Sequence, residues 1–203
     1  HHLFLHSFPT RRSSDLLWAI FATLAGILLC GLLIPDAPAR HHEEAPVSVG
    51  SILAQPRVRA LFAACFIMSA AHGALYVFYS IYLSAYGYST SLVGALWSLG
   101  VVAEIVVFFF MSRWLQRYGL RLILLAAFFA AVIRFMMIAW GVEYLWVIVL
   151  AQVLHGLTFG AYHAASIAAV NRWFPGPCQA RGQALYSSLS FGAGGLVGGL
   201  LSG

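Results

Sequence analysis

The chain has 203 residues, of which 62% are hydrophobic and 8% are charged, and its formal net charge is +5. With a mean hydropathy of +0.87, it carries too few charges for a soluble domain of this length. The composition predicts a multi-span membrane protein, and its basic balance requires no nucleic acid because basic cytoplasmic loops account for it.

Six apolar runs divide the chain at its polar segments, each near the roughly 20 residues that a helix needs to cross a bilayer. Lipid offers backbone groups no partners, and the runs lack the alternation of a membrane β-barrel, so all are predicted to be helices. The predicted fold class is all-α, a polytopic transmembrane helix bundle with about six spans. These spans are 16–34, 60–83, 92–111, 122–140, 145–170 and 184–201.

The first residues carry a sequence that looks foreign to a membrane protein. Residues 6–16 read HSFPTRRSSDL, the translation of a widely used short-read sequencing adapter in one frame. We therefore interpret residues 1–16 as a non-native scar and exclude them from the fold. A basic amphipathic arm or a signal-like segment is the alternative, but no cleavage site follows. The chain also ends within a glycine-rich apolar run, which predicts truncation at both ends.

Residues 35–59 form the one long linker, with four prolines around the run HHEE at 41–44. That run could bind a metal, but its proline-rich polar surroundings favour a solvated cytoplasmic loop. The later connections are short, so residues 60–203 are predicted to form one bundle. A helix at 17–34, a linker and a bundle indicate the junction between two halves of a larger transporter.

Arginine alternates with connection number along the chain. The second connection carries no charge and the fourth carries only Glu143, whereas the odd-numbered connections are basic. Basic loops stay in the cytoplasm, so the odd connections are predicted to be cytoplasmic in a multi-pass protein of the cell (inner) membrane. The arginines concerned are Arg40, Arg57, Arg59, Arg113, Arg117, Arg121, Arg172 and Arg181.

Two opposite charges lie deep inside apolar runs, Glu104 and Arg134. A lone charge in hydrocarbon is costly, so such residues face a bundle interior or an aqueous pathway. Counted at about 1.5 Å per residue, Glu104 lies near mid-membrane and Arg134 a little toward the outer side. The two runs follow one another, so an ion pair or a water-bridged pair is expected. A fixed pair that merely joins two helices is the alternative.

A polar stripe follows the fifth run at three- and four-residue steps, which places its members on one face of a helix. They are Gln152, His155, Phe159, Tyr162 and Ser166. An unshifted imidazole exchanges protons near neutral pH, so His155 is a candidate proton carrier. A histidine hydrogen-bonded between helices is the alternative.

A similar face in the second run carries His72, Tyr76 and Tyr79. No ligand spacing joins the histidines of the two spans, including His163, so the sequence predicts neither a metal site nor a cofactor. Neither a GxSxG elbow nor HExxH occurs, so no enzyme is predicted. An aromatic substrate would stack on Tyr76, Tyr79, Phe159 or Tyr162.

The third connection, residues 112–121, reads SRWLQRYGLR and resembles the loop signature of the major facilitator superfamily. Ser112 takes the small position, and Arg117, Gly119 and Arg121 match the signature. Gln116 stands where an acid is usual, so the charge-relay role of that acid is not carried over.

Longer segments resemble the phenylpropionic-acid-transporter branch of this superfamily, whose relatives include the lactose permease and nucleoside proton symporters. The resemblance implies an incomplete C-terminal half of a twelve-helix fold, with the six runs as its sixth to eleventh helices. It also implies proton-coupled symport of a small organic substrate such as an aromatic carboxylate. The segments are AHG at 71–73, YSIY at 79–82, LGVVAEI at 99–105, FGAYHAA at 159–165 and RGQALYSSLSFG at 181–192.

On this reading Glu104, Arg134 and His155 form the proton-coupling centre. The implied partners are the lipid bilayer, protons, the substrate and the missing N-terminal half of the same transporter. A sugar or nucleoside proton symporter, a drug efflux carrier, and a receptor-like or scaffolding bundle are the alternatives. Substrate-binding candidates are Arg134, His72, Tyr76, Tyr79, Gln152, Phe159 and Tyr162.

Overall fold

The computed structural model of the chain describes residues 48–202, together with Ala25 and Leu29, which are helical. The predicted scar, the HHEE run and, apart from these two residues, the predicted first span lie outside the described residues. Contacts divide the chain into His1–His42 and Glu43–Gly203, and the helices below all belong to the second unit.

Residues 48–202 form five helices and contain no strand. These are α1 (Val49–Leu53), α2 (Pro56–Ala85), α3 (Thr90–Gly141), α4 (Leu145–Trp173) and α5 (Cys178–Leu201). By length and composition α2 to α5 can each cross a membrane. The predicted all-α membrane bundle is confirmed for this part of the chain, and the predicted spans from residue 60 onward lie within these helices.

Local sequence explains where the helices begin. Pro56 occupies the first turn of α2, where its missing N–H has no intrahelical partner to lose. At the start of α3, the Ser89 hydroxyl accepts a hydrogen bond from the Leu92 N–H at 3.3 Å. Pro175 and Pro177 lie in the connection between α4 and α5. Proline lacks the N–H that a continuous helix needs, so the chain does not run on as one helix here.

Helix α3 reverses direction at Gly119, whose φ of 73° and ψ of 162° interrupt the helical backbone. We call residues 90–118 the first limb and residues 120–141 the second limb. Glu104 of the first limb and Arg134 of the second limb both contact the same turn of α4. In a straight helix they would stand about 45 Å apart. The two limbs therefore lie against the same helix, and each can cross the bilayer once.

The prediction of a loop over residues 112–121 is wrong. The chain stays helical up to Gly119, because this stretch contains no proline and because Trp114 and Leu115 pack against the core. A positive φ favours glycine, so the reversal itself accounts for the glycine of the signature. Ser112 and Arg117 are exposed on the first limb, and Arg121 is exposed on the second.

The last part of the predicted 35–59 linker is also helical. It contains α1 and the start of α2, and Ile52 and Val58 are buried in the same core cluster. The apolar side chains of this segment find partners in the bundle, so the bundle begins before the predicted boundary at residue 60.

Helices α2 and α5 pack backbone against backbone at Gly198. A methyl group on Gly198 would overlap the carbonyl oxygen of Ala70, whereas one on Gly199 would meet only the Val77 Cγ2 at an ordinary 3.6 Å. We expect Gly198→Ala to destabilise the bundle by about 1–3 kcal/mol, because the helices must move apart. The measurement is the thermal unfolding midpoint in detergent, with Gly199→Ala as the control. Equal midpoints for the two variants would contradict this packing.

Candidate functional site

Helix α2, both limbs of α3 and helix α4 meet around a group of buried polar side chains. Arg134 and Gln152 have no exposed surface, and His72 and His155 are each 3% exposed. Glu104 is partly buried beside them. Polar groups buried among apolar helices are costly without partners, so their contacts decide what this group can do.

Two glycines bring the first limb of α3 against α4. A methyl group on Gly156 would lie 2.6 Å from the carbonyl oxygen of Ala103, and one on Gly100 would lie 3.2 Å from the His155 Cδ2. The backbones are therefore close enough for a glutamate side chain to reach across. Gly100 was not among the residues predicted from the sequence, although a glycine one helical turn before a glutamate in an apolar span is a signal of close helix packing.

Glu104 and His155 form a close pair. The Glu104 Oε1 lies 2.8 Å from the His155 Nε2, a distance typical of a charge-assisted hydrogen bond. The bond requires one proton between these atoms, carried either by the imidazole or by the carboxyl group. The Nδ1 of His155 is buried and has no hydrogen-bond partner among the described residues, which fits a nitrogen without a second proton. With the single proton of a neutral imidazole on Nε2, the pair has a net negative charge and can take up one further, exchangeable proton.

Arg134 contacts two other groups instead of the glutamate. Its Nε donates to the carbonyl oxygen of Ala151 at 3.0 Å, and its Nη1 lies 3.3 Å from the Nε2 of His72. Of the two predicted forms of contact between Glu104 and Arg134, the direct ion pair is not formed, because the glycine contact puts His155 within reach of the carboxylate. The water-bridged pair stays a prediction. The third nitrogen of Arg134, Nη2, has no partner in residues 48–202.

The two histidines lie next to each other, with ring centroids 5.9 Å apart. The second ring nitrogen of His72, Nδ1, is 2.9 Å from the carbonyl oxygen of Met68, one turn earlier in α2. The Glu104–His155 pair and the Arg134–His72 pair therefore meet through their imidazoles. Within the described residues, no group of three or more His, Cys, Asp or Glu side chains is arranged to hold a metal ion.

A cavity of about 110 Å³ adjoins this group between α2, α4 and α5. An apolar cavity of about 150 Å³ is known to take up benzene, so this one is close to the size of a single aromatic ring. Its lining consists mainly of aromatic, glycine and methionine residues. The lining residues are Met68, Ser69, His72, Gly73, Tyr76, Phe159, Tyr162, Phe191 and Gly195.

The structure brings four of the predicted substrate-binding residues to this cavity and leaves three away from it. His72, Tyr76, Phe159 and Tyr162 line it. The other three, Tyr79, Gln152 and Arg134, are buried outside its lining. Phe191 also lines the cavity but was not predicted from the sequence, because the segment around it resembles the transporter branch without showing a polar periodicity.

The cavity is bounded by two π-helical segments. Gly156–Ala161 interrupts α4 and Ser188–Gly194 interrupts α5. Phe159 and Phe191 lie in these segments, with ring centroids 6.2 Å apart. Such segments are frequent at functional sites, where they change the direction of side chains relative to a regular helix.

Comparisons with known proteins agree with this architecture. The sequence model of the MFS_1 like family matches residues 6–203. The chain belongs to this family. Membership of the MFS_1 like family confirms the predicted resemblance to the major facilitator superfamily.

A curated relative of this MFS_1 like chain is the probable 3-phenylpropionic acid transporter of Escherichia coli strain K12. The two are 34% identical over 173 residues, which cover 85% of this chain and 45% of the relative. The chain therefore spans less than half the length of this relative. No solved structure matches this chain significantly.

Proposed function

We propose that residues 60–203 belong to the C-terminal half of a proton-coupled symporter that carries a small aromatic carboxylate across the cell (inner) membrane. The observation that carries the proposal is the Glu104–His155 pair, held beside a buried arginine and next to an aromatic cavity. The name of the E. coli relative specifies 3-phenylpropionic acid, a ring attached to a carboxylate, which supports this substrate class.

Each part of the site has a role in this proposal. The cavity takes the substrate ring, which stacks on Tyr76 and Phe159. The Glu104–His155 pair holds the proton that drives uptake. Arg134 supplies the positive charge that attracts the substrate carboxylate, because a guanidinium can bind two carboxylate oxygens. Together these groups bring a proton and an anion to one place in the membrane.

A second half of the transporter completes the site in this proposal. Transporters of this architecture move substrate by rocking two halves around a site near the bilayer midplane. Tyr76 at the cavity is 44% exposed and Phe191 is 39% exposed, so the cavity opens toward a face that a second half can cover. Residues 17–34 then belong to that other half, and residues 35–59 connect the two.

The test is uptake of 3-phenylpropionate by proteoliposomes that contain the complete transporter with this sequence. With the lumen alkaline, we expect accumulation above the external concentration, and a protonophore should abolish it. Protein-free liposomes correct for passive entry of the acid, and uncharged 3-phenylpropionamide is the control substrate. Saturable uptake that ignores the proton gradient would refute the coupling, and absence of saturable uptake would refute the substrate class.

The orientation of the bundle gives a separate prediction. The arginine alternation places Arg117 on the cytoplasmic side and the connection that contains Tyr86 outside. In a cysteine-free background, Tyr86→Cys should react with an impermeant thiol reagent in intact cells, because Tyr86 is 49% exposed. Arg117→Cys should react only after the cells are permeabilised. The reverse pattern would overturn the proposed orientation.

A further inference from the structure

Both ring nitrogens of His72 are occupied in a way that fixes its protonation. A guanidinium only donates hydrogen bonds, so the Nε2 of His72 must accept from the Arg134 Nη1. The carbonyl oxygen of Met68 only accepts, so the Nδ1 of His72 must donate to it. His72 is therefore neutral while it contacts Arg134.

This arrangement leaves the cavity without a positive group. His72 lines the cavity, but neither of its nitrogens has a free N–H to offer. Arg134 has no exposed surface and is not part of the cavity lining. A carboxylate that enters the cavity would lose its hydration without gaining a charged partner, which is strongly unfavourable.

We propose that His72 is a proton switch that makes Arg134 available to the substrate carboxylate only when a proton and the carboxylate bind together. The added proton binds to the Nε2 lone pair that accepts the hydrogen bond from Arg134, and that hydrogen bond is lost. The resulting imidazolium and guanidinium are both donors with like charge, so they stay adjacent only with an anion between them. The inference rests on the proposed function and places its single coupling proton on His72 while the carboxylate is bound. This proton reaches His72 from the Glu104–His155 pair, since the ring centroids of His155 and His72 lie 5.9 Å apart.

The surroundings of His72 leave the incoming anion as its charge partner. Within residues 48–202 the acids are Glu104 and Glu143, and the nearer of them, Glu104, is already bonded to His155. Helix α5 faces His72 across the cavity with Phe191 and Gly195, neither of which titrates. The rings and charged groups packed around His72 are Tyr76 of α2, Arg134 and Phe135 of α3, and His155 and Phe159 of α4.

The first test needs no ligand. Nitrogen-15 NMR of this chain in lipid nanodiscs, labelled at histidine and arginine, reports which imidazole nitrogen carries the proton, and His72→Gln assigns the His72 signals. We expect His72 to be protonated at Nδ1 alone. During acid titration, the Arg134 side-chain signals should change together with protonation of the His72 Nε2. A proton on Nε2 in the neutral form, or Arg134 signals that do not follow His72, would overturn the proposal.

The second test measures protons taken up when the complete transporter in nanodiscs binds 3-phenylpropionate, using a pH-indicator dye in weak buffer. The wild type should take up about one proton per bound anion. His72→Gln should bind more weakly and without that uptake, because a glutamine amide oxygen keeps accepting from Arg134 but takes no proton. Full uptake by His72→Gln would overturn the switch. A wild type that binds no 3-phenylpropionate refutes the proposed substrate class, and the NMR titration then decides the switch alone.

Discussion

Replacing Glu104 with glutamine is expected to abolish proton-driven accumulation while leaving substrate exchange across the membrane intact. The amide keeps a hydrogen bond with the His155 Nε2, at the present 2.8 Å contact, but cannot carry the proton. With one proton per substrate, a gradient of one pH unit drives about tenfold accumulation, because 1.4 kcal/mol corresponds to a factor of ten. The variant should reach only the external concentration.

The measurement compares uptake driven by a pH gradient with exchange of labelled for unlabelled 3-phenylpropionate in the same proteoliposomes. His155→Ala should lose accumulation as well, since it removes the other half of the proton-sharing pair. Glu143→Gln is the matched control, because Glu143 is an acid exposed outside the helices. Wild-type accumulation in both Glu104→Gln and His155→Ala would reduce the pair to a contact that joins two helices.

Arg134→Ala is expected to weaken accumulation and exchange together. The substitution removes the positive charge near the cavity and also the donors to Ala151 and His72. Losing a buried partner costs about 1–3 kcal/mol for each polar group left without one, so the thermal unfolding midpoint should fall too. The half-saturating substrate concentration for exchange should rise at least about tenfold, the effect of 1.4 kcal/mol.

Two further variants separate charge from folding at this position. Arg134→Lys keeps the charge but cannot donate to Ala151 and His72 in the same geometry, so it should retain part of the exchange activity. Arg172→Ala removes an exposed arginine near the end of α4 and should behave like the wild type. If Arg134→Ala lowers only the unfolding midpoint and leaves the half-saturating concentration unchanged, Arg134 acts in structure alone.

Hydropathy predicted where the chain crosses the bilayer but not how one span passes into the next. The runs at 92–111 and 122–140 were both identified, since helices in lipid must be apolar for about 20 residues. The polar residues between them suggested a loop, yet polar residues without glycine or proline also continue a helix into water. The reversal at Gly119 depends on the two backbone torsions of one residue, which composition does not reveal.

The members of the polar centre were predictable, but their pairing was not. Glu104, Arg134 and His155 stand out because charged and titratable groups are rare in apolar spans. Which of them touch depends on how closely two helices approach and how each is rotated about its axis. Gly100 and Gly156 set that approach, so the acid meets the histidine of α4 while the arginine meets His72 of α2.

The π-helical segment Gly156–Ala161 also determines how the two ends of α4 are turned relative to each other. In an uninterrupted α-helix each residue advances the side-chain direction by about 100°. A π segment breaks that relation, so the angular position of His155 beside Glu104 is set independently of Ser166, which packs against Cys65. Removing one residue from the segment would restore a regular helix and rotate one end by about 100° relative to the other. The end of α4 that carries His155 and the end that carries Ser166 would then no longer both face their partners.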